Sequence, residues 1–337
     1  MKLMKTEDAV GQVLCHDVTQ IIPGLFKGPV FRKGHIIREE DIPVLLDVGK
    51  ENIYIWEMDE GMMHENEAAE VLYDICRGRH MHQGKISEGK IEAIADIDGL
   101  LKVDKKRLNI VNSQGEMMIA ARHGNFPVKA GDKLAGMRII PLVIERAKMG
   151  KARREAGGAI LNVLPFTAKR VGIVTTGSEI YNHRIEDKFT PVVIQKVEEY
   201  GGIVIGQRFS GDDVDVETGF IHELLEAGAD LVLCTGGMSV DPDDRTPMAI
   251  RTAADRVVSY GAPVLPGAMF MLAYKGNVPI VGLPGCVMYA KRTIFDLILP
   301  RLMANDPVTR DEIASLGEGG LCLGCKVCVF PNCGFGK

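Results

Sequence analysis

The stretch of this chain best suited to chemistry is Thr235-Gly236-Gly237-Met238-Ser239-Val240-Asp241-Pro242-Asp243-Asp244-Arg245-Thr246-Pro247. Paired glycines let the backbone turn sharply and approach a ligand with no Cβ in the way. Amides in such a turn, followed by a helix N-terminus near Thr246, favour an anion, and the aspartates behind them favour a cation beside it. The run therefore predicts a phosphate and a metal, and so a nucleotide or another phosphorylated cofactor. Three more loops share its character: Thr175-Thr176-Gly177-Ser178-Glu179, Phe209-Ser210-Gly211-Asp212-Asp213 and Leu283-Pro284-Gly285-Cys286.

Four cysteines, Cys322, Cys325, Cys328 and Cys333, fall within the last sixteen residues. The other four, Cys15, Cys76, Cys234 and Cys286, sit among apolar neighbours and read as buried thiols. A C-x₂-C-x₂-C-x₄-C run in a segment too short to build its own core reads as a metal site, and four thiolates suit zinc or one [4Fe–4S] cluster. The pair His80 and His82 has no evident third ligand and reads as an exposed turn. Met58, Met62 and Met63, near Trp56, read as core filler or an interface.

The elements that must hold these loops follow from pattern. From Lys169 onward, short apolar runs alternate with helical segments: strand 171–175, helix 189–200, strand 203–207, helix 214–227, strand 231–234, helix 246–254 and a last helix from Val287 to Met303. This is the βαβ rhythm, which predicts a mainly parallel sheet covered on both faces, a three-layer α/β/α domain. Ligands bind such sheets beyond the carboxyl ends of the strands, where all four loops open. Residues 1–150 read as a smaller, β-rich α+β domain that can divide in two, with helices at Arg38–Val48 and Glu65–Arg77. Residues 151–168 read as a linker or bridging helix, 169–304 as the ligand-binding domain and 305–337 as a tail with the cysteine motif.

A 46% apolar and 25% charged composition suits a chain that buries full cores. A net charge of -5 gives no reason to expect nucleic acid. The longest apolar stretch, Ala262 to Tyr274, is broken by Pro263, Pro266 and Gly267, too short to span a bilayer. The opening residues turn acidic where a signal peptide would turn apolar, so a cytoplasmic location is expected.

Thr-Thr-Gly-Ser-Glu, Ser-Gly-Asp-Asp, Thr-Gly-Gly-Met-Ser with its trailing aspartates, and Leu-Pro-Gly together resemble the molybdopterin-binding domain of the MoeA, MogA and gephyrin-type proteins of molybdenum cofactor assembly. The resemblance covers roughly residues 169 to 303 and implies a MogA-like fold. It implies binding of molybdopterin, often adenylylated, and a molybdopterin molybdenumtransferase-like activity that inserts molybdate with Mg²⁺ assisting. Asp212 and Asp244 match the family's two functional acids and would hold the Mg²⁺. Thr175, Thr176, Gly177, Ser178, Ser210, Gly211, Gly236, Gly237, Met238, Ser239, Pro284 and Gly285 would contact pterin and phosphate. Ser178 replaces a usual aspartate, Leu265-Pro266-Gly267-Ala268 lacks flanking lysines, and Cys286-Val287 replaces Asn-Pro; these departures bear on turnover more than on binding.

Each sharp reading has a plain counterpart. Glycines make tight βα turns without any ligand, and aspartates such as Asp212, Asp213, Asp241, Asp243 and Asp244 cap helices. The function expected is molybdate insertion or carriage of the finished cofactor. The alternatives are a non-catalytic molybdopterin-binding redox sensor or docking module, and a nucleotide pyrophosphatase on the same fold. Molybdoenzymes or other cofactor-assembly proteins are the expected partners, with no nucleic acid and no membrane, and a homo-oligomer is expected.

Overall fold

The structure, a computed structural model, describes residues 2–55, 60–239, 241 and 244–337. Trp56, Met58 and Asp243 lie outside the described residues, whereas Met63 is buried and Met62 half-buried. The chain forms two compact units: residues 1–95, 103–122 and 131–162 make the first, and 96–102, 123–130 and 163–337 the second. Two short segments from the first half of the sequence thus cluster with the second unit.

The first unit contains a four-stranded antiparallel sheet of Met81–Gln83, Ile91–Ala95, Lys133–Ile139 and Met117–Ala121, with the helix Glu65–Cys76 packed on it. A separate small core of Ala9, Leu14, Val18, Ile37, Leu45, Ile53 and Ile55 gathers the N-terminal strands and the helix Asp41–Asp47. That helix starts three residues later than its acids suggest. The Asp41 carboxylate takes the His35 imidazole at 2.6 Å and the Arg38 N–H at 2.9 Å, which folds residues 38–41 into a turn first. Helix Lys105–Asn112 escapes sequence reading because only Val111 on it is buried, so no apolar stripe marks it. Helix Arg146–Ala156 belongs to the first unit and stops at Gly157, in the left-handed region at φ 66°.

The second unit is built on a six-stranded sheet. Its strands in chain order are β1 (Arg170–Thr176), β2 (Ile203–Ser210), β3 (Leu231–Thr235), β4 (Arg256–Tyr260), β5 (Met271–Lys275) and β6 (Val278–Leu283). They lie in the order β2-β1-β3-β6-β5-β4, paired in parallel across the first four and antiparallel at β6-β5 and β5-β4. The helices are α1 (Ser178–Tyr181), α2 (Phe189–Glu198), α3 (Val214–Glu226), α4 (Thr246–Ala253), α5 (Ile294–Met303) and α6 (Arg310–Ser315).

Period-two alternation sends Val171, Ile173, Leu231, Leu233, Val281 and Leu283 into one core with α2 and α5, and Val174, Val232, Cys234 and Ile280 into another with α3 and α4. A sheet buried on both faces needs strands apolar at every position, which is what these runs supply. The expected three-layer α/β/α architecture with a mainly parallel sheet is therefore the one observed. Among the described residues no helix is long and apolar enough to cross a membrane.

One element corrects the sequence reading where it matters for the site. Leu-Pro-Gly does not lead straight into a helix at Val287. A short 3-10 turn over Gly285–Met288 and an exposed loop intervene, and α5 begins at Ile294. The start is set by a capping box: Thr293 accepts the Phe295 N–H at 3.2 Å, while Asp296 takes the Thr293 N–H at 2.8 Å. The helix N-terminus is thus closed by its own side chains rather than open to an anion.

Candidate functional site

Register assembles the candidate site. Thr176 of β1 pairs with Ser210 of β2, Thr175 with Thr235 of β3, and Thr235 with Leu283 of β6. The four loops therefore leave the sheet side by side at its carboxyl edge, as the parallel arrangement requires.

Several of the residues expected to touch a ligand are committed to the scaffold instead. Thr175 and Thr176 are each 2% exposed. The Thr175 hydroxyl shares a network with Thr190 at 3.1 Å and with the Gln207 amide at 2.9 Å. The Thr176 hydroxyl donates to the Thr235 carbonyl at 3.2 Å and meets the Thr246 hydroxyl at 3.0 Å, tying β1 to the glycine loop and to α4. Met238 points its thioether into the core against Gly282, where a Cβ would stand 2.6 Å from its sulfur. Its side chain is part of that core. Pro284 is buried as well.

The glycines divide into two kinds. Gly236 and Gly237 have φ of 84° and 57°, and a Cβ at Gly236 would lie 2.2 Å from the Thr176 carbonyl oxygen. The fold itself demands glycine there. At Gly285 a Cβ would meet nothing within 4 Å, and at Gly211 nothing nearer than 3.9 Å, so these two leave room over the edge. Helix α4 starts where expected, yet its first amides are taken: Thr246 donates to the Gly237 carbonyl at 3.2 Å, Pro247 has no N–H, and Met248 donates to Arg245 at 2.9 Å. The helix N-terminus is thus closed by the fold itself.

The acids separate by partner. Asp213 caps α3, accepting the N–H of Asp215 at 2.9 Å and of Val216 at 3.1 Å. Asp212 does not cap; one of its oxygens accepts the Ser178 hydroxyl at 2.7 Å, which links the first and second loops. Asp244 accepts the Ser239 N–H at 2.9 Å and so closes the glycine loop on itself. Asp241 is exposed, and its carbonyl accepts the Asp244 N–H at 3.0 Å.

Sequence reasoning missed Glu217, on the inner face of α3. It is 1% exposed, and among the described residues neither of its carboxylate oxygens has a hydrogen-bond partner. Burial pushes its carboxyl up to about 7, and the charges of Asp212 and Asp213 push the same way. Thr246 lies near enough to oppose this, but its hydroxyl is engaged with Thr176. Ser210 Oγ and Thr235 Oγ1 are likewise buried without partners. Buried polar atoms are normally paired, so three such residues at one sheet edge mark a place that a polar ligand or an ion would complete. An isolated glutamate within a helical pattern carries no sequence signal; only its depth beside Asp212 reveals it.

No group of three or more His, Cys, Asp or Glu side chains is placed to hold a metal ion among the described residues. For Mg²⁺ that is compatible with a site completed by substrate, since Mg²⁺ takes one or two carboxylates with phosphate oxygens and water. Asp212 and Asp244 fit only in that way. The C-terminal cysteines form no such group either. His80 and His82 are both exposed.

An open α/β sheet with ligand-ready loops at its carboxyl edge defines the class of protein. Residues 172–304 match the family model described as probable molybdopterin binding domain, and residues 3–57 match one described as a domain of unknown function. Residues 172–304 belong to the molybdopterin-binding domain family of molybdenum cofactor biosynthesis.

The molybdopterin adenylyltransferase of Pyrococcus furiosus is 27% identical over 92 residues, which cover 27% of this chain and 54% of that protein. A CinA-like protein of Mycobacterium leprae is 34% identical over 80 residues, covering 23% of this chain and 18% of that protein. The chain thus spans about half and about a fifth of the length of these curated relatives. Among solved structures, the molybdopterin biosynthesis enzyme MoaB of Thermus thermophilus is 22% identical, with a TM-score of 0.37, covering 42% of this chain and 98% of its own. The molybdopterin biosynthesis Mog protein of Mycobacterium ulcerans is 20% identical, with a TM-score of 0.36, covering 44% of this chain and all of its own (100%).

Proposed function

We propose that the carboxyl edge of this sheet binds molybdopterin, bare or adenylylated, and that the chain acts late in molybdenum cofactor biosynthesis, inserting molybdate or carrying the finished cofactor. The observation that carries the reading is the coincidence of two things in one place. The molybdopterin-binding family match spans the four loops, and the unpartnered Ser210, Thr235 and Glu217 lie beneath them. The name of the Pyrococcus furiosus relative, an adenylyltransferase of the same pterin, supports a nucleotide-bearing form.

In this reading the exposed and half-buried groups do the contacting. Ser178, Gly211, Ser239 and Gly285 receive the ligand, Gly177, Gly236 and Gly237 shape the turns, and Thr175, Thr176, Met238 and Pro284 hold the frame. Mg²⁺ bound by Asp212 and Asp244 together with ligand phosphate would supply neutralisation of charge on a departing nucleotide, and molybdate is the substrate. Ser178 fixes the orientation of Asp212, and Asp244 keeps the glycine loop closed. Glu217, with its carboxyl near 7, can hold or release a proton beside Asp212 at neutral pH. The same reading makes the protein a cytoplasmic homo-oligomer that passes the cofactor to molybdoenzymes or to other assembly proteins. It also assigns the C-terminal cysteines to a metal centre.

Deleting the protein from its host and measuring molybdoenzyme activity tests the insertion step. Restoration by wild type but not by Asp244→Ala is expected. Full restoration by that variant would overturn insertion and leave binding alone.

A further inference from the structure

The cysteine segment remains outside the pterin site, yet it is built into the same unit. Leu265 donates to the Gly320 carbonyl and the Cys322 N–H donates back to the Leu265 carbonyl, both at 2.8 Å. At the other end Phe335 is 4% exposed in the core, and the Gly336 N–H bonds the Gly319 carbonyl at 2.9 Å. Between these two fixed ends, Leu323, Val327 and Val329 are 82%, 76% and 51% exposed, and no helix or strand forms. Apart from Cys322, Phe330 and Cys333, which pack against the core, such a span has little apolar burial of its own to offset the entropy of ordering it.

All four thiols line one cavity of about 560 Å³. None is in a disulfide. The opposite wall comes from the loop between β6 and α5, which brings Lys291 and Arg292, while Lys326 comes from the segment itself. Lys291 donates to the Lys326 carbonyl at 3.0 Å. Arg292 is held by the buried Asp296 at 2.8 Å, lies 5.0 Å over the Phe330 ring, and reaches the Cys328 thiol. No carboxylate among the described residues lines the cavity. Three cations facing four cysteines suit a group that is anionic once the thiols ionise.

One zinc ion would draw its four sulfurs to about 2.3 Å from a single point. The described residues hold no such focus. The four cysteines instead border one cavity with room for more than a single ion, which suits a cubane that each would bind at a different corner. We infer that Cys322, Cys325, Cys328 and Cys333 bind one [4Fe–4S] cluster in this cavity, with Lys291, Arg292 and Lys326 balancing its charge. The inference rests on the metal centre assigned above and names its kind; it does not depend on pterin binding. What the two share is the loop from Pro284 to Thr293, whose start lies at the sheet edge and whose end forms the cavity wall.

The test is anaerobic reconstitution of the full-length protein with ferrous iron and sulfide, followed by iron, sulfide and zinc analysis and electron paramagnetic resonance after dithionite reduction. Four iron and four sulfide per chain and a reduced-cluster signal are expected. Replacing both exposed thiols, Cys325→Ala with Cys328→Ala, should abolish binding while circular dichroism stays unchanged. Cys286→Ser, outside the cavity, should bind as wild type. One zinc per chain with no sulfide, no metal at all, or unchanged iron in the double variant would each overturn the inference.

Discussion

Glu217 gives the sharpest quantitative prediction. In the unfolded chain its carboxyl titrates at the ordinary glutamate value of 4.5, and burial pushes it up to about 7 in the folded protein. Between those values the folded state keeps a proton that the unfolded state releases, so stability must fall as pH rises through that window and level off above it. Each unit of difference is worth about 1.4 kcal/mol, so the two-and-a-half-unit gap amounts to about 3 kcal/mol in order of magnitude. Glu217→Gln removes the titration. A buried amide lacking partners carries its own cost, but that cost does not vary with pH, so the difference in slope is the readout. Urea midpoints measured with chelator from pH 4.5 to 8 should show wild type losing about 3 kcal/mol relative to the variant. Parallel curves for the two proteins would refute the claim that this carboxylate is buried and unpaired.

The glycines separate scaffold from ligand contact. Gly236→Ala forces a Cβ against the Thr176 carbonyl at positive φ and should destabilise by about 2 kcal/mol or more in chemical denaturation. Gly285→Ala meets open space and should leave stability within about 0.5 kcal/mol while weakening pterin binding measured by calorimetry. Asp244→Asn weakens the bond that closes the glycine loop, so amide exchange at Ser239 should speed up markedly in hydrogen-exchange mass spectrometry. Asp296→Ala leaves Lys196, paired with it at 2.5 Å and 10% exposed on its side chain, buried without its carboxylate, and should cost about 3–5 kcal/mol in denaturation.

The α/β unit was legible because its physics is local and repeated. Strands such as Leu231–Thr235 are apolar at every position, helices between them carry periodic apolar faces, and loops such as Gly236–Gly237 need glycine by φ alone. The edge that gathers Thr176, Ser210, Thr235 and Leu283 followed from parallel pairing. What resisted reading was which atoms of a motif face outward. Met238 and Thr176 sit inside the same motifs as Ser239 and Ser178, yet the first pair packs inward and only the second pair faces the edge. That choice is made by neighbours distant in sequence, Gly282 for Met238 and Thr246 for Thr176. Glu217 was invisible for the same reason. The start of α5 was misplaced by seven residues because apolar Val287 and Met288 imitate a helix, while the Thr293 and Asp296 capping box decides it.

Molybdopterin binding by the loop edge is best tested by anaerobic purification of the full-length protein and mass spectrometry of the released small molecule, for wild type and Gly285→Ala in parallel. A phosphorylated pterin, with or without its nucleotide, should be recovered from wild type and be depleted in the variant. Recovery of a plain nucleotide without pterin, or of equal pterin from both proteins, would contradict the account.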